Sequence, residues 1–218
     1  MHKHLLITRI KTLKLFLKKG RLVLFSGTSC QISGLHNYLH HEYENLITID
    51  FICHGVPSQK IFHLFLDEEL SRYKFGKNLK RIRDNFYTCS KSDIKIKNIK
   101  FREKSLGWKK FSFSLTLSQK DKNNENYILS SQFSNTSYGS LFLHNLTLRP
   151  SCYKCPSKAG KSCSNITIAD FWGVNKFYPE FDDNKGITLA IINNNKGEEY
   201  IPFNKIRYIE PTFEQAFE

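Results

Sequence analysis

Cysteine is the residue type whose number and spacing give the clearest chemical signal in this sequence. The 218 residues include six cysteines. Cys30 and Cys53 each follow an apolar run, and Cys152 and Cys155 form a C-x-x-C pair. Thiolates at the C-x-x-C spacing can bind one tetrahedral metal ion or two irons of one cluster. We therefore expect the chemistry of the chain to lie at these cysteines.

The two isolated cysteines follow strands of a predicted β-α-β-α succession near the start of the chain. Ile32, Leu35 and Leu39 recur at helical spacing between the two apolar runs. Such an alternation is typical of α/β proteins with parallel strands, whose carboxyl ends open on one crevice. Cys30 and Cys53 are therefore expected to be near neighbours. The predicted elements are strands at 21–27 and 45–53 and helices at 31–40 and 56–73.

The pattern changes after Gly76 to short, alternating segments rich in β-forming residues. A polar turn at 119–126 predicts an antiparallel hairpin. The predicted fold class is therefore α/β with α+β character in the second half. We expect one domain over 1–218, with a βαβ part at 1–75 and an antiparallel, Cys-rich part at 76–218. The predicted strands of this second part are 80–86, 94–104, 111–118, 126–133, 165–173 and one within 185–201.

The opening residues resemble a targeting peptide only superficially. Charges interrupt the apolar residues, and Leu6, Ile10, Leu13 and Phe16 fall at helical spacing, which predicts an amphipathic helix. No apolar run approaches the roughly 20 residues that a bilayer crossing needs, so membrane insertion is not expected. We expect a cytoplasmic protein, in which cysteines serve metal, cluster or redox chemistry more often than structural disulfides.

The formal net charge of +13 favours anionic partners. Most lysines are scattered, as at Lys95, Lys97 and Lys100, which is typical of a solvated face. Nucleic-acid binding would need a localised basic stripe with aromatic stacking platforms, and the sequence offers only Trp108. Nucleic acid is therefore disfavoured as a partner.

Four thiolates from three segments suit a [4Fe–4S] cluster or a structural zinc ion. The spacing alone leaves a plainer alternative open, in which Cys30 and Cys53 are small buried hydrophobes. Cys163 could replace one of the four ligands, and Cys89 lies apart in a strand-like region.

Three further motifs could bind a cofactor. The turns "SGTSCQ" and "CHGVPS" end strands with glycine and could offer backbone N–H groups to phosphate, although His54 in the second is more typical of a structural histidine. "REKSLGWKKFSFSL" places basic side chains around Trp108, which suits either a dinucleotide or a hairpin with a cationic rim. "ADFWG" places Asp170 at a strand end and Trp172 beside it, the latter more typical of a core residue.

Five ordered blocks of this sequence resemble the coenzyme F420 hydrogenase/dehydrogenase beta-subunit family. The resemblance runs from about Leu22 to about Asn193, most of the chain. The blocks are "FSGTSCQISGL", "NLITIDFICHGVPS", "REKSLGWKKFSF", "LRPSCYKCPSK", and "ITIADFWGV" with "DDNKGITLAIIN".

The resemblance implies an iron–sulfur flavoprotein that passes electrons between a [4Fe–4S] cluster, FAD and a small-molecule redox substrate such as the deazaflavin coenzyme. Many bacterial relatives accompany polysaccharide-synthesis genes. It also implies two sets of site residues. The cluster ligands would be Cys30, Cys53, Cys152 and Cys155. The flavin pocket would be lined by Gly27, Thr28, Gln31, His54, Gly55, Lys104, Trp108, Asp170 and Trp172.

Two departures from the family pattern matter. Ser29 stands where the family usually has proline, which loosens the turn and adds an N–H donor. Cys30 is the first cysteine of the sequence, so we expect the chain to lack the Cys-rich, ferredoxin-like segment that usually precedes this region in the family. Electrons would then come from or go to a ferredoxin-like partner in trans, for which the basic surface is suited. The alternatives are a truncated, inactive family member and a zinc-stabilised structural module.

Overall fold

The computed structural model describes residues 2–77, 94–119 and 126–217. Their contacts divide the chain into two compact units: unit 1 comprises 1–54 and 154–218, and unit 2 comprises 55–153. In chain order the helices and strands are α1 (His2–Lys18), β1 (Val23–Thr28), α2 (Ser29–Leu39), β2 (Leu46–Phe51), α3 (Gln59–Lys77), β3 (Ile94–Glu103), β4 (Ser112–Gln119), β5 (Asn126–Gln132), α4 (Ser137–Leu143), α5 (Pro150–Tyr153), β6 (Ile166–Asp170), α6 (Val174–Phe177), β7 (Thr188–Ile192), α7 (Asn195–Glu199) and α8 (Phe213–Phe217).

Unit 1 is built on a four-stranded sheet in the order β1-β2-β6-β7. β1 pairs with β2 and β2 with β6 in parallel, whereas β6 and β7 are antiparallel. The mixed sheet confirms the α/β class and the βαβ unit predicted at the start of the chain. It also adds a parallel strand, β6, from a segment that the sequence placed in the antiparallel half.

One face of this sheet is covered by the first two helices. Leu13 and Leu17 of α1 and Leu35 and Leu39 of α2 are buried in one cluster with Leu46 of β2. The predicted amphipathic helix at the start of the chain is therefore confirmed. Its buried residue in the last turn is Leu17, while Phe16 is partly exposed.

Unit 2 is an antiparallel sheet in the order β3-β4-β5 with α3 and α4 packed against it. Its core is aromatic, with the ring of Phe65 in α3 contacting those of Phe113 in β4 and Tyr138 in α4. The hairpin predicted between 111–118 and 126–133 is confirmed as β4 and β5. The strand predicted at 80–86 lies outside the described residues.

The first and last segments of unit 2 run side by side. Pro57 bridges Leu148 in antiparallel fashion. The Ser58 N–H donates to the Thr147 carbonyl at 2.8 Å, and the Arg149 N–H donates to the Val56 carbonyl at 2.9 Å. Unit 2 is therefore an insertion into unit 1 whose two ends are held together by its own hydrogen bonds.

In the part of the chain that the structure describes, no helix combines the length and apolar character that a bilayer crossing requires.

Candidate functional site

Cys30 and Cys53 lie at the carboxyl ends of neighbouring parallel strands. β1 ends at Thr28 and β2 at Phe51, and these two residues are register partners. Cys30 is the second residue of α2, and Cys53 follows β2 by two positions. Cys30 is exposed and Cys53 half-buried, so the reading of both as buried hydrophobes is wrong for Cys30. Both thiols stand at the edge where α/β sheets bind ligands.

The C-x-x-C pair spans the boundary between the two units. Cys152 lies in α5 near the end of unit 2, and Cys155 follows near the start of the second part of unit 1. The Val56 N–H donates to Cys152 Sγ at 3.4 Å. The five described cysteines are free thiols; Cys89 lies outside the described residues.

In the turn before α2, a side chain accepts a hydrogen bond from the backbone. Gln31 Oε1 accepts a hydrogen bond from the Thr28 N–H at 2.9 Å, which is half of a capping box. A Cβ at Gly27 would lie 2.8 Å from that same Gln31 oxygen, so the side chain folds closely over the glycine. Thr28 Oγ1 lies 3.2 Å from Cys30 Sγ. The Thr28 N–H is therefore already engaged and is not available to a phosphate.

The other residues predicted from the resemblance are distributed over both units. His54 and Gly55 follow Cys53 directly, and Gly55 has a φ of 137° that an L side chain rarely adopts. Lys104 is exposed in the turn after β3. Trp108 in the same turn is only 3% exposed, so it is a packed residue of unit 2.

Asp170 ends β6 in unit 1, and Trp172 follows it by two positions. Asp170 is the last residue of the strand and is exposed. Trp172 is 52% exposed, so the expectation that it is a core residue is wrong, and its indole is accessible at the carboxyl edge of the sheet.

One face of the unit 1 sheet becomes uncovered toward its carboxyl end. On β2 the exposed fraction rises from 1% at Ile47 to 42% at Phe51, and on β6 from 6% at Ile166 to 36% at Ile168. Successive side chains of a strand alternate between faces, so each pair lies on one face. We call the outer row the carboxyl-end shelf. It consists of four cross-strand neighbours, namely Thr28, Phe51, Ile168 and Ala190.

A buried carboxylate lies near the carboxyl end of β2. Asp50 is 2% exposed. Its Oδ1 accepts hydrogen bonds from Thr167 Oγ1 at 2.6 Å and Ser164 Oγ at 2.7 Å. Burial raises the pKa of Asp50, but hydrogen bonds from Thr167, Ser162, Ser164 and Ser29 together outweigh it and hold the pKa below its ordinary value. Asp50 is therefore an anion at neutral pH.

Sequence reasoning missed this network, although one signal was present. Asp50 is the only charged residue in the apolar run "NLITIDFIC", and a charge in a buried strand needs partners. The partners could not be found from the sequence, because Ser164 and Thr167 lie 114 and 117 residues downstream.

Comparison with known families decides the assignment. The family described as the C terminus of the beta subunits of coenzyme F420 hydrogenase/dehydrogenase matches residues 20–210. The chain belongs to this family. A search among curated proteins found no match. Members of the F420 hydrogenase/dehydrogenase beta-subunit family are subunits of oxidoreductases. The family match therefore assigns the chain to this class of redox proteins.

The thiols of this family member suit iron in their chemistry. Among residues 2–77, 94–119 and 126–217, no three His, Cys, Asp or Glu side chains are gathered as around a single metal ion. The donor set nevertheless fits a cluster, because soft thiolates are the ligands of Fe–S centres. Val56 already donates to one such sulfur, and hydrogen bonds to sulfur are one means by which proteins tune a cluster.

Proposed function

We propose that the chain is an electron-transfer subunit that binds a [4Fe–4S] cluster and FAD and passes electrons to or from a small redox substrate of the coenzyme F420 type. The observation that carries this proposal is the family match over residues 20–210. The position of two thiols at the carboxyl edge of one sheet supports it.

Cys30, Cys53, Cys152 and Cys155 would hold the cluster. Such a cluster supplies one-electron transfer, and the protein supplies its ligands, hydrogen bonds and degree of burial. Cys30 and Cys53 come from adjacent strand ends, and the three-residue spacing of Cys152 and Cys155 keeps their thiols within reach of one cluster. Cys163 is exposed in a turn with a φ of 60° and is left outside the ligand set.

The carboxyl-end shelf would receive the flavin ring system. Three neighbouring strands at about 4.8 Å spacing present Phe51, Ile168 and Ala190 as an apolar surface roughly 10 Å across. Thr28, the fourth residue of the shelf, and Asp170 next to it add polar groups, and the exposed indole of Trp172 follows Asp170. Gly27, Gln31, His54, Gly55 and Lys104 remain proposed lining residues by resemblance. The burial of Trp108 favours a supporting role for that residue.

The phosphates of FAD would bind away from the start of α2. The Thr28 N–H at that turn is taken by Gln31, and the nearby Asp50 anion repels negative charge. The flavin ring would therefore be positioned by the side chains next to the shelf, and not by a phosphate site at the start of α2.

A ferredoxin-like partner would exchange electrons with the chain in trans, in a cytoplasmic setting that keeps the thiols reduced. Residues 55–153 carry 18 basic and 8 acidic residues, whereas the rest of the chain carries 15 and 12. The positive charge is therefore concentrated in unit 2, which favours the docking of an acidic protein there.

The test is cofactor analysis of protein purified without oxygen and reconstituted with ferrous iron, sulfide and FAD. We expect about four irons and four sulfides per chain, the stoichiometry of one [4Fe–4S] cluster, together with bound FAD. Cys30→Ser should lose most of the iron, whereas Cys163→Ser should keep it. Bound zinc without flavin would contradict the proposal in favour of a structural site. Failure to take up any cofactor would instead indicate an inactive family member.

A further inference from the structure

Asp50 connects the segments that carry the cysteines of unit 1. Its register partner on β1 is Gly27, three positions before Cys30, and the Ser29 hydroxyl next to Cys30 helps to lower the pKa of this carboxyl. Ser164, which follows Cys163, donates to this carboxylate at 2.7 Å from the loop that begins at Cys155. Ser162, on the other side of Cys163, donates to Ser164 Oγ at 3.3 Å. Cys53 lies three positions beyond Asp50 on its own chain segment. A single buried carboxylate thus lies next to the start of α2 and beneath the carboxyl edge of the sheet.

The network is organised to keep this carboxylate charged. Its donors are neutral hydroxyls, and no Lys, Arg or His of the described residues is among its partners. Asn193 Nδ2 donates to Thr167 Oγ1 at 2.9 Å and to Ser164 Oγ at 3.1 Å. These hydroxyls therefore accept from the amide and direct their own protons toward the carboxylate. The amino end of α2 adds a positive dipole end beside Ser29.

A buried anion without a cation is costly, and an uncharged asparagine would cross-link the same segments at a lower desolvation cost. The charge itself therefore needs an explanation beyond packing. A fixed negative charge near a redox centre disfavours the addition of an electron, because the reduced form carries one more negative charge.

We propose that Asp50 keeps a fixed negative charge beneath the thiol-bearing edge of unit 1 and thereby lowers the reduction potential of the redox group bound there. The first half of this inference concerns the protein alone. The second half rests on the proposed function. Asp50 acts here through its electric field, so it is a tuning residue and not a ligand.

The first experiment uses the protein without cofactors and measures the alkylation of Cys30 by mass spectrometry at one pH and low salt. The ratio of the rate with anionic iodoacetate to the rate with neutral iodoacetamide reports the local potential, because the same thiolate attacks both reagents. We expect Asp50→Asn to raise this ratio about twofold to threefold, the order expected for a unit charge on the neighbouring strand at low salt. Asp183→Asn, a matched change in an exposed loop, should leave the ratio unchanged.

A second variant covers the case in which Asp50→Asn does not fold. Thr167→Val keeps the charge and the shape but removes one hydroxyl dipole that screens the carboxylate. The ratio at Cys30 should then fall below the wild-type value, opposite in sign to the Asp50→Asn effect. An unchanged or raised ratio in folded Thr167→Val, or an unchanged ratio in folded Asp50→Asn, overturns the inference.

The second experiment is a potentiometric titration of the reconstituted protein. The midpoint potential should rise in Asp50→Asn and stay at the wild-type value in Asp183→Asn. An unchanged midpoint in loaded Asp50→Asn overturns the tuning role. If wild-type protein takes up neither iron nor FAD, that result alone overturns the proposed function. The alkylation ratio still decides whether Asp50 makes the local potential at Cys30 more negative.

Discussion

Thr48 and Asn165, 117 residues apart, are joined by four hydrogen bonds. One runs from the Asn165 N–H to the Thr48 carbonyl at 3.0 Å, and the other three involve a side chain. Asn165 Oδ1 accepts from the Thr48 N–H at 2.7 Å and from Thr48 Oγ1 at 2.9 Å. The Asn165 N–H donates to Thr48 Oγ1 at 3.1 Å. Thr48 is fully buried. This pair fixes the start of β6 against β2 and so sets the register of the strand that carries Asp170.

Replacing Asn165 by alanine should lower the free energy of unfolding by about 1–3 kcal/mol, because buried groups of Thr48 lose their partner. Urea denaturation followed by circular dichroism measures this change. Asn204→Ala, at an exposed position, should stay within about 0.5 kcal/mol of wild type. Equal effects at the two positions would show that the Thr48–Asn165 pair adds nothing to stability.

The stability of the protein should fall in acid through Asp50. The pKa of this carboxyl is below its ordinary value of 3.8 in the folded protein. The stabilising contribution of the charged form is therefore fully present well above 3.8 and is lost as the pH falls below that value. Denaturant titrations at a series of pH values measure it.

Asp50→Asn removes this titration and should flatten the stability profile below the unfolded pKa. Asp183→Asn provides the exposed control and should keep the wild-type slope. A slope that is the same in all three proteins would assign the acid sensitivity to other carboxyl groups.

Replacing either of two glycines by alanine should change the free energy of unfolding, but in opposite directions. A Cβ at Gly139 would lie 1.9 Å from the Phe133 carbonyl oxygen, so Gly139→Ala must displace backbone in the core of unit 2. Gly34 lies inside α2 with nothing within 4 Å of an added Cβ. Gly34→Ala should therefore raise the free energy of unfolding by about 0.5–1 kcal/mol.

Thermal unfolding of both glycine variants checks this expectation. Gly139→Ala should lower the melting temperature by several degrees or prevent folding, as backbone strain and overpacking cost about 1–3 kcal/mol or more. A Gly139→Ala protein as stable as Gly34→Ala would contradict the close approach of α4 to the turn before it.

Alanine variants of the two tryptophans should distinguish a loss of packing from a loss of cofactor binding. Trp108→Ala should cost about 3–5 kcal/mol of stability, because the indole is buried. Trp172→Ala should change stability by no more than about 0.5 kcal/mol, because the indole is half exposed.

In a fluorescence titration with FAD, Trp172→Ala should bind more weakly than wild type while remaining folded. Unaltered FAD affinity would remove Trp172 from the proposed flavin site. Trp108 gives no such separation, since any loss of binding there would follow from loss of packing.

The carboxyl-end shelf predicts a further loss of flavin affinity. Phe51→Ser removes its largest apolar side chain at a position that is already 42% exposed, so the effect on stability should be small. The dissociation constant for FAD should rise about tenfold, because roughly 1–2 kcal/mol of apolar contact is lost. Ile206→Ser, similarly exposed elsewhere in unit 1, should leave the constant unchanged, and an equal loss there would rule out the shelf.

The local pattern of the sequence predicts most of the strands and helices. The apolar run that ends in "SGTSCQ" predicts β1 followed by α2, because a continuous apolar run there gives way within a few residues to apolar residues at helical spacing. The alternation in "FSFSLTLS" predicts β4 in the same way. Neither pattern involves a partner that is far away in sequence.

The sequence does not predict how β6 enters the parallel sheet. That arrangement depends on Thr48 and Asn165 and on the bonds from Thr167 to Asp50, all between residues more than a hundred positions apart. The sequence also does not predict which side chains of the candidate site are buried. Trp108 and Trp172 stand in similar glycine-containing motifs, yet tertiary packing buries the first and exposes the second.

The insertion of unit 2 between β2 and β6 has a consequence for synthesis of the chain. Unit 2 is complete when Tyr153 has left the ribosome, whereas β1 and β2 still lack β6 and β7. Asp50 and Thr48 must remain hydrated until residues 164–167 follow. Translation therefore favours folding of the inserted unit first, and the sheet that carries Cys30 and Cys53 closes last.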